Sequence, residues 1–103
     1  MATTNRVLRQ RVERGAALLD AKQPGWAPRI DLVALDMSSG LTCVLGQLYA
    51  GGYDTGVEAL GLGLNDPTYG FVEHTTTAWG VDYARLLPLW REAIEARTGT
   101  EAA

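Results

Sequence analysis

Few side chains in this sequence are equipped for chemistry. Covalent catalysis needs a hydroxyl or thiol nucleophile, a base within hydrogen-bond reach and a third group that orients the base. The chain holds one histidine, His74, and one cysteine, Cys43. His74 precedes Thr75, Thr76 and Thr77, which makes a base and hydroxyls neighbours in sequence without supplying triad geometry; it reads as an ordinary loop or surface histidine. Cys43, between Thr42 and Val44 in the best-formed amphipathic run, reads as a small, buried, inert thiol. One Cys and one His exclude an internal disulfide and a zinc site made of those two types alone. Asp31 and Asp36 bracket an apolar turn and are the closest pair that suits a hard cation, but Asp at a helical start is plainly a cap, and no D-x-[DN]-x-[DN]-G series occurs. Gly61-Leu62-Gly63 follows no strand and lacks a third glycine at the spacing a dinucleotide needs. The expectation is therefore no catalytic residue, no metal and no cofactor.

Binding chemistry has more to work with. Arg6, Arg9, Arg11, Arg14 and Lys22 face only Glu13 and Asp20 in the first 25 residues, whereas Ile30 to Ala84 has no Lys or Arg and seven acids. A basic helix folded back over an acidic body, a pairing of two copies and a charged partner each fit this asymmetry, in that order. A net charge of -3 and a pI near 5.0 argue against nucleic acid, whose binding domains carry a positive excess. Trp26, held between Pro24-Gly25 and Pro28, is the aromatic best placed for exposure; its plainer role is to plug the end of a helical core. Arg6, Arg9, Arg14, Trp26 and Arg29 are thus the candidate ligand or partner residues.

These residues must be positioned by helices. In 103 residues there is room for one small domain, 1–103, whose ends at 1–4 and 100–103 are expected to fray. A hydrophobic content of 47% supports a core without metal or disulfide. The polar, basic start is unlike a signal peptide and no run approaches a membrane span, so an intracellular, cytoplasmic protein is expected. A first helix begins at Thr3, Thr4 or Asn5 and ends at Pro24-Gly25, with Leu8, Val12, Gly15, Ala16 and Leu19 on one stripe and Arg9 and Glu13 paired on the wet side. Asp31 caps a short turn, and Ser38 or Ser39 caps a central helix carrying Leu41, Val44, Leu45, Leu48 and Tyr49. Thr55 and Glu58 have the form of a capping box for a short helix through Val57 and Leu60. The last helix starts at Asp82 and stops at Gly99, and Pro88 predicts either a kink or a start near that residue. The fold class is mainly α: a compact single domain of about four helices, with an irregular or short extended segment, or a small hairpin, around 61–80. The predicted core is Leu8, Val12, Leu19, Leu41, Val44, Leu45, Leu48, Leu60, Leu87, Trp90 and Ile94.

The runs RGAALLD, PGW, RIDL, LDMSS and CVLGQLY, with a weaker continuation through YGF, DYARL and the W of LPLW, resemble a group of short hypothetical proteins of actinobacteria and their phages. The resemblance covers about two thirds of the chain from Arg14 onward and implies context, a phage or actinobacterial accessory protein of the cytoplasm, with no catalytic residues to carry over. Several members of that group have more cysteine around CVLGQ, where this chain has only Cys43. The reading is a non-enzymatic interaction module that binds a host protein or itself. The alternative is a small-ligand binder, such as a nucleotide-sequestering protein, with the N-terminal arginines on phosphate and Trp26 stacked on a base.

Gly15 offers the sharpest expectation about packing. A glycine on a buried helical stripe marks a close approach of another backbone, here expected from the Leu41–Ala50 helix.

Overall fold

The computed structural model describes residues 4–63, 67–71 and 81–99, the backbone alone for 81–83. The first helix, α1 (Asn5–Lys22), opens where the Thr4 hydroxyl accepts the N–H of Val7 at 3.2 Å, so Thr4 is an ordered cap and not a frayed end. Its buried stripe is the expected one: Leu8, Val12, Gly15, Ala16 and Leu19. The second helix, α2 (Val44–Leu48), and the third, α3 (Tyr53–Leu60), are short; the fourth, α4 (Val81–Thr98), matches α1 in length. Two 3₁₀ turns, Ala27–Arg29 and Pro67–Tyr69, complete the regular structure, and no strand occurs among the described residues. The protein is a small, mainly α domain.

α1 and α4 pack along one another. Asn5 accepts from Arg85, Arg9 is paired with Glu92, and Asp20 holds Arg97 at 2.8 Å. Positions along the two helices therefore rise together, and the helices run in the same sense. Two parallel neighbours cannot be joined by a tight turn, so the chain between them must travel back across the domain. That connection carries α2, α3 and both 3₁₀ turns, and it supplies much of the core through Trp26, Leu35, Met37, Leu45, Val57 and Phe71.

Trp90 sits at the centre, fully buried, stacked on Phe71 at 5.1 Å and edge-on to Trp26 at 6.0 Å. Its indole N–H donates to the Gly70 carbonyl at 2.8 Å. Beside it the backbone of 69–70 runs against α1 with no room for side chains. A Cβ on Gly15 would stand 2.0 Å from the Tyr69 carbonyl oxygen, and one on Gly70 would stand 2.8 Å from the Val12 backbone. Gly15 is thus a crossing point, as its place on the stripe implies, but its partner is the Pro67–Tyr69 turn and Trp90 rather than the Leu41–Ala50 segment.

Several local expectations are corrected. The central helix does not begin at Ser38 or Ser39: the Ser39 hydroxyl takes the N–H groups of Leu41 and Thr42 at 3.3 Å, closing a separate turn. The helix starts only at Val44, capped by the Cys43 sulfur accepting from Gly46 N–H at 3.3 Å. Leu41 therefore lies outside the helix and is 73% exposed, while Leu60 and Leu87 are only half-buried. The Thr55–Glu58 capping box does not form, because α3 starts three residues earlier at Tyr53, with Gly52 as its cap at φ +89°. Asp82 lies inside α4, which runs unbroken through Pro88, so the helix does not begin there. Pro88 has no N–H to give the Ala84 carbonyl, and both residues lie on the exposed side of the helix. Arg9 pairs with Glu92 across the helix seam rather than with Glu13. His74 and most of the 61–80 segment, for which irregular, extended and hairpin structure all stood open, lie outside the described residues.

The crossing geometry makes Gly15→Ala destabilising by about 1–3 kcal/mol, because its methyl group would displace the Tyr69 carbonyl rather than a yielding side chain. Urea denaturation should show this loss with the helical circular dichroism of the native state unchanged.

Candidate functional site

Trp26 is 1% exposed. The Pro24-Gly25 break directs it back under the end of α1, where its indole N–H donates to Asp20 at 2.9 Å. Asp20 also receives both Nε and Nη2 of Arg97, and that guanidinium lies 5.8 Å from the centre of the Trp26 ring. With one edge against Trp90 and its polar atom spent on Asp20, Trp26 is part of the core and offers no free face for a base. The fork of Arg97 holds the Asp20 carboxyl below the ordinary aspartate value of 3.8, and Asp20 in turn raises Arg97.

The arginines singled out in the sequence do not gather. Arg6 and Arg14 stand exposed on α1, and no bond to either occurs among the described residues. Arg9 is taken by Glu92. Arg29 donates to the Gln23 side chain and the Leu48 carbonyl, each at 3.4 Å. Gln23 follows the far end of α1, about 25 Å along the helix axis from Arg6 at 1.5 Å per residue. One phosphate cannot engage both ends. The acids Asp31 and Asp36 both serve turns: Asp31 accepts from Val33 and Ala34 N–H, and Asp36 from the N–H and hydroxyl of Ser38, which lowers its carboxyl pKa. Among the described residues no group of three or more His, Cys, Asp or Glu is disposed to hold a metal.

What the structure does assemble is a face built on the Asp31–Cys43 connection. The Gln47 side chain pins it to α2, accepting from Asp31 N–H at 2.7 Å and donating to the carbonyls of Asp31 and Thr42. Leu35 and Met37 turn inward, whereas Val33 is 94% exposed and Leu41 protrudes near the other end. Between this connection and α4 lies a recess of about 490 Å³ lined by Val33, Leu35, Met37, Ala84 and Leu87. A second, of about 410 Å³, continues along the same side of α4 between Ile30, Leu32, Ile94 and Thr98. Arg91 stands between the two and donates to the Leu32 carbonyl at 3.1 Å. On the other side of Met37 a small cavity of about 90 Å³ is walled by Ser39, Gly40, Cys43, Tyr53 and Phe71.

No family model, no curated protein and no solved structure matches the chain. The face must be read from its own chemistry. No helix among the described residues is long and apolar enough to cross a membrane.

Sequence reasoning missed Val33 and Leu41 as surface groups. The signal available was local: Asp31 and Ser39 each take the N–H groups two and three residues on, which makes turns that leave Val33 and Leu41 outside. Cys43 is buried as expected, but it caps α2 instead of lying inside the central helix, and burial pushes its thiol pKa up.

Two measurements follow from these environments. The lowered Asp20 carboxyl contributes stability that is present above about pH 3.8 and is lost as pH falls through its folded value; Asp20→Asn should flatten that acid limb and cost about 0.5–1 kcal/mol near neutrality, as suits a half-exposed pair, read by tryptophan fluorescence during denaturation. Cys43 should resist a thiol reagent in the native protein and react fully in denaturant, in proportion to the unfolded fraction.

Proposed function

We propose that this chain is a non-enzymatic interaction module, a phage or actinobacterial accessory protein that docks a host protein or a second copy of itself in the cytoplasm. The observation that carries this reading is the Asp31–Cys43 face. It presents Val33 to solvent beside a recess with apolar walls and Leu41 near its other end, while the other large apolar side chains of the described residues are covered, Val7 at 37% excepted. Apolar groups that a small domain leaves outside, next to concave surface and rimmed by charge, are what partner binding uses. The resemblance of LDMSS and CVLGQLY to the phage and actinobacterial group supports the context, and LDMSS lies in this connection. The rival, a nucleotide binder, is not favoured by a covered Trp26 ring and by arginines spread along α1.

The test is affinity capture with the purified chain as bait, in parallel with a double variant, Val33→Asp with Leu41→Asp, and with Arg6→Ala/Arg14→Ala. Both substituted apolar residues are exposed, so the fold should persist. A captured protein that survives loss of the arginines but not of the apolar pair supports the reading. Equal capture by all three baits would overturn it, as would thermal stabilisation by a nucleotide, since a ligand at 100 times its Kd adds about 2.7 kcal/mol.

A further inference from the structure

We propose that a recess on α3 receives a basic side chain, lysine or arginine, from an amphipathic segment of a partner protein, its cation between Asp54 and Glu58 and its aliphatic stem against Val57 and Leu62. The inference goes beyond the interaction reading above: it uses a different element from the Val33 turn and states the chemistry of what binds there.

The first argument is shape. Asp54, Val57, Glu58 and Leu62 line a recess of about 290 Å³, in which the two acids are exposed and the two apolar groups are set deeper. Asp54 and Glu58 stand one turn apart on α3 (Tyr53–Leu60), so their carboxylates share a face. A long cationic side chain matches such a place, because it carries a charged head on an apolar stem.

Charge is the second argument and selects the occupant. Like charges four residues apart disfavour a helix, and Glu58 stands in the last turn of α3, where the helix end is itself partially negative. Nothing in the domain relieves this. No hydrogen bond or ion pair to either carboxylate occurs among the described residues, none of the described Lys or Arg lines the recess, and the sequence from Ile30 to Ala84 has no basic residue. The arginines of α4 are spent elsewhere: Arg85 on Asn5, Arg91 on the Leu32 carbonyl and Arg97 on Asp20. An incoming cation therefore meets two carboxylates and a helix C-terminus that lack a counter-charge. Nucleic acid and anionic lipid would be repelled, and two carboxylates fall short of the ligand set a hard cation needs.

A third observation favours a segment over a free amine. Leu41 is 73% exposed and lies at the start of the same helix, its Cδ2 3.3 Å from where a Cβ on Gly52 would stand. Gly52 is the cap of α3, and Asp54 is in its first turn. A chain laid along α3 covers this leucine with an apolar residue of its own and reaches the recess with a basic one. A free amine covers the recess alone.

A fluorescein-labelled helical peptide of Lys and Leu, titrated with the purified full chain at low salt, tests this by fluorescence anisotropy, with a Glu and Leu peptide as control. The expected result is saturable binding of the basic peptide alone, weakened about tenfold by Asp54→Asn with Glu58→Gln and about threefold by Leu41→Ser. Glu13→Gln with Glu95→Gln removes the same charge from α1 and α4 and should leave the affinity within about twofold. Asp54 and Glu58 are exposed, so circular dichroism should be unchanged; should the pair lose its fold, Glu58→Gln alone, which only relieves repulsion, still decides the question. Equal weakening by the two acid pairs overturns the site, because bulk attraction would then account for the binding. Failure of the basic peptide to bind overturns it too, as does spermidine binding as tightly as the peptide. Val33→Asp should leave the peptide bound, and a loss there overturns the α3 site in favour of the Val33 face. A host protein captured through Val33 and Leu41 by a chain that ignores the peptide would sink this inference and leave the interaction reading standing.

Discussion

The bond from the Trp90 indole to the Gly70 carbonyl is the constraint around which the domain is arranged. An indole N–H sealed from water and left unbonded would cost about 1–3 kcal/mol, so the ring can occupy the centre only if a carbonyl is delivered to it. The carbonyl arrives on the 67–71 segment, which must run against α1 beside Trp90. Ordinary side chains would hold that segment away. Gly15 on one surface and Gly70 on the other remove the obstruction, and Phe71 then stacks on the ring while Trp26 meets it at nearly a right angle. Glycine in the middle of α1 is unfavourable for the isolated helix by about 1 kcal/mol; in the assembled domain it is what lets three aromatic rings share one core.

A second consequence concerns charge. The basic first helix meets acids at the seam with α4: Arg9 finds Glu92, and Asp20 reciprocates with Arg97. These pairs are half-exposed, so their worth lies in setting the register of two parallel helices more than in holding them together. Arg97 has a further task, since its position over the Trp26 ring and its fork on Asp20 close the end of the core that the Pro24-Gly25 break opens.

The long helices were legible in the sequence because their signals are local and repeated. Thr4, the stripe from Leu8 to Leu19 and the stop at Gly99 all appear where cap chemistry and 3.6-residue periodicity place them. The reading failed where two local signals competed. Leu41, Val44, Leu45 and Leu48 fit a helical template, yet Ser39 and Gly40 form a turn inside it, and the template counts apolar residues without weighing which N–H group a hydroxyl will take first. The candidate site suffered for a different reason. Trp26 and the arginines stand out by residue type, and type does not reveal that Asp20 lies within reach of the indole or that Arg9 is taken by Glu92 and Arg29 by Gln23. Cys43, judged by its neighbours, was read correctly as buried.

The Val33 face follows from the same topology. Because α1 and α4 run in the same sense, the intervening chain must return across the domain, and in doing so it spends its polar side chains on its own backbone: Asp31, Asp36, Ser39 and Gln47 all bond main-chain groups of the connection. Such turns fix which side chains point inward, and Leu35 and Met37 take those positions. The valine between Leu32 and Ala34 is left outside by geometry, not by composition, and no rearrangement short of breaking the Asp31 turn and the Arg91 bond returns it to the core. Exposure enforced by the hydrogen bonds of the fold is a standing property of the surface, which is why the search for this protein's role belongs on that face and not among its arginines.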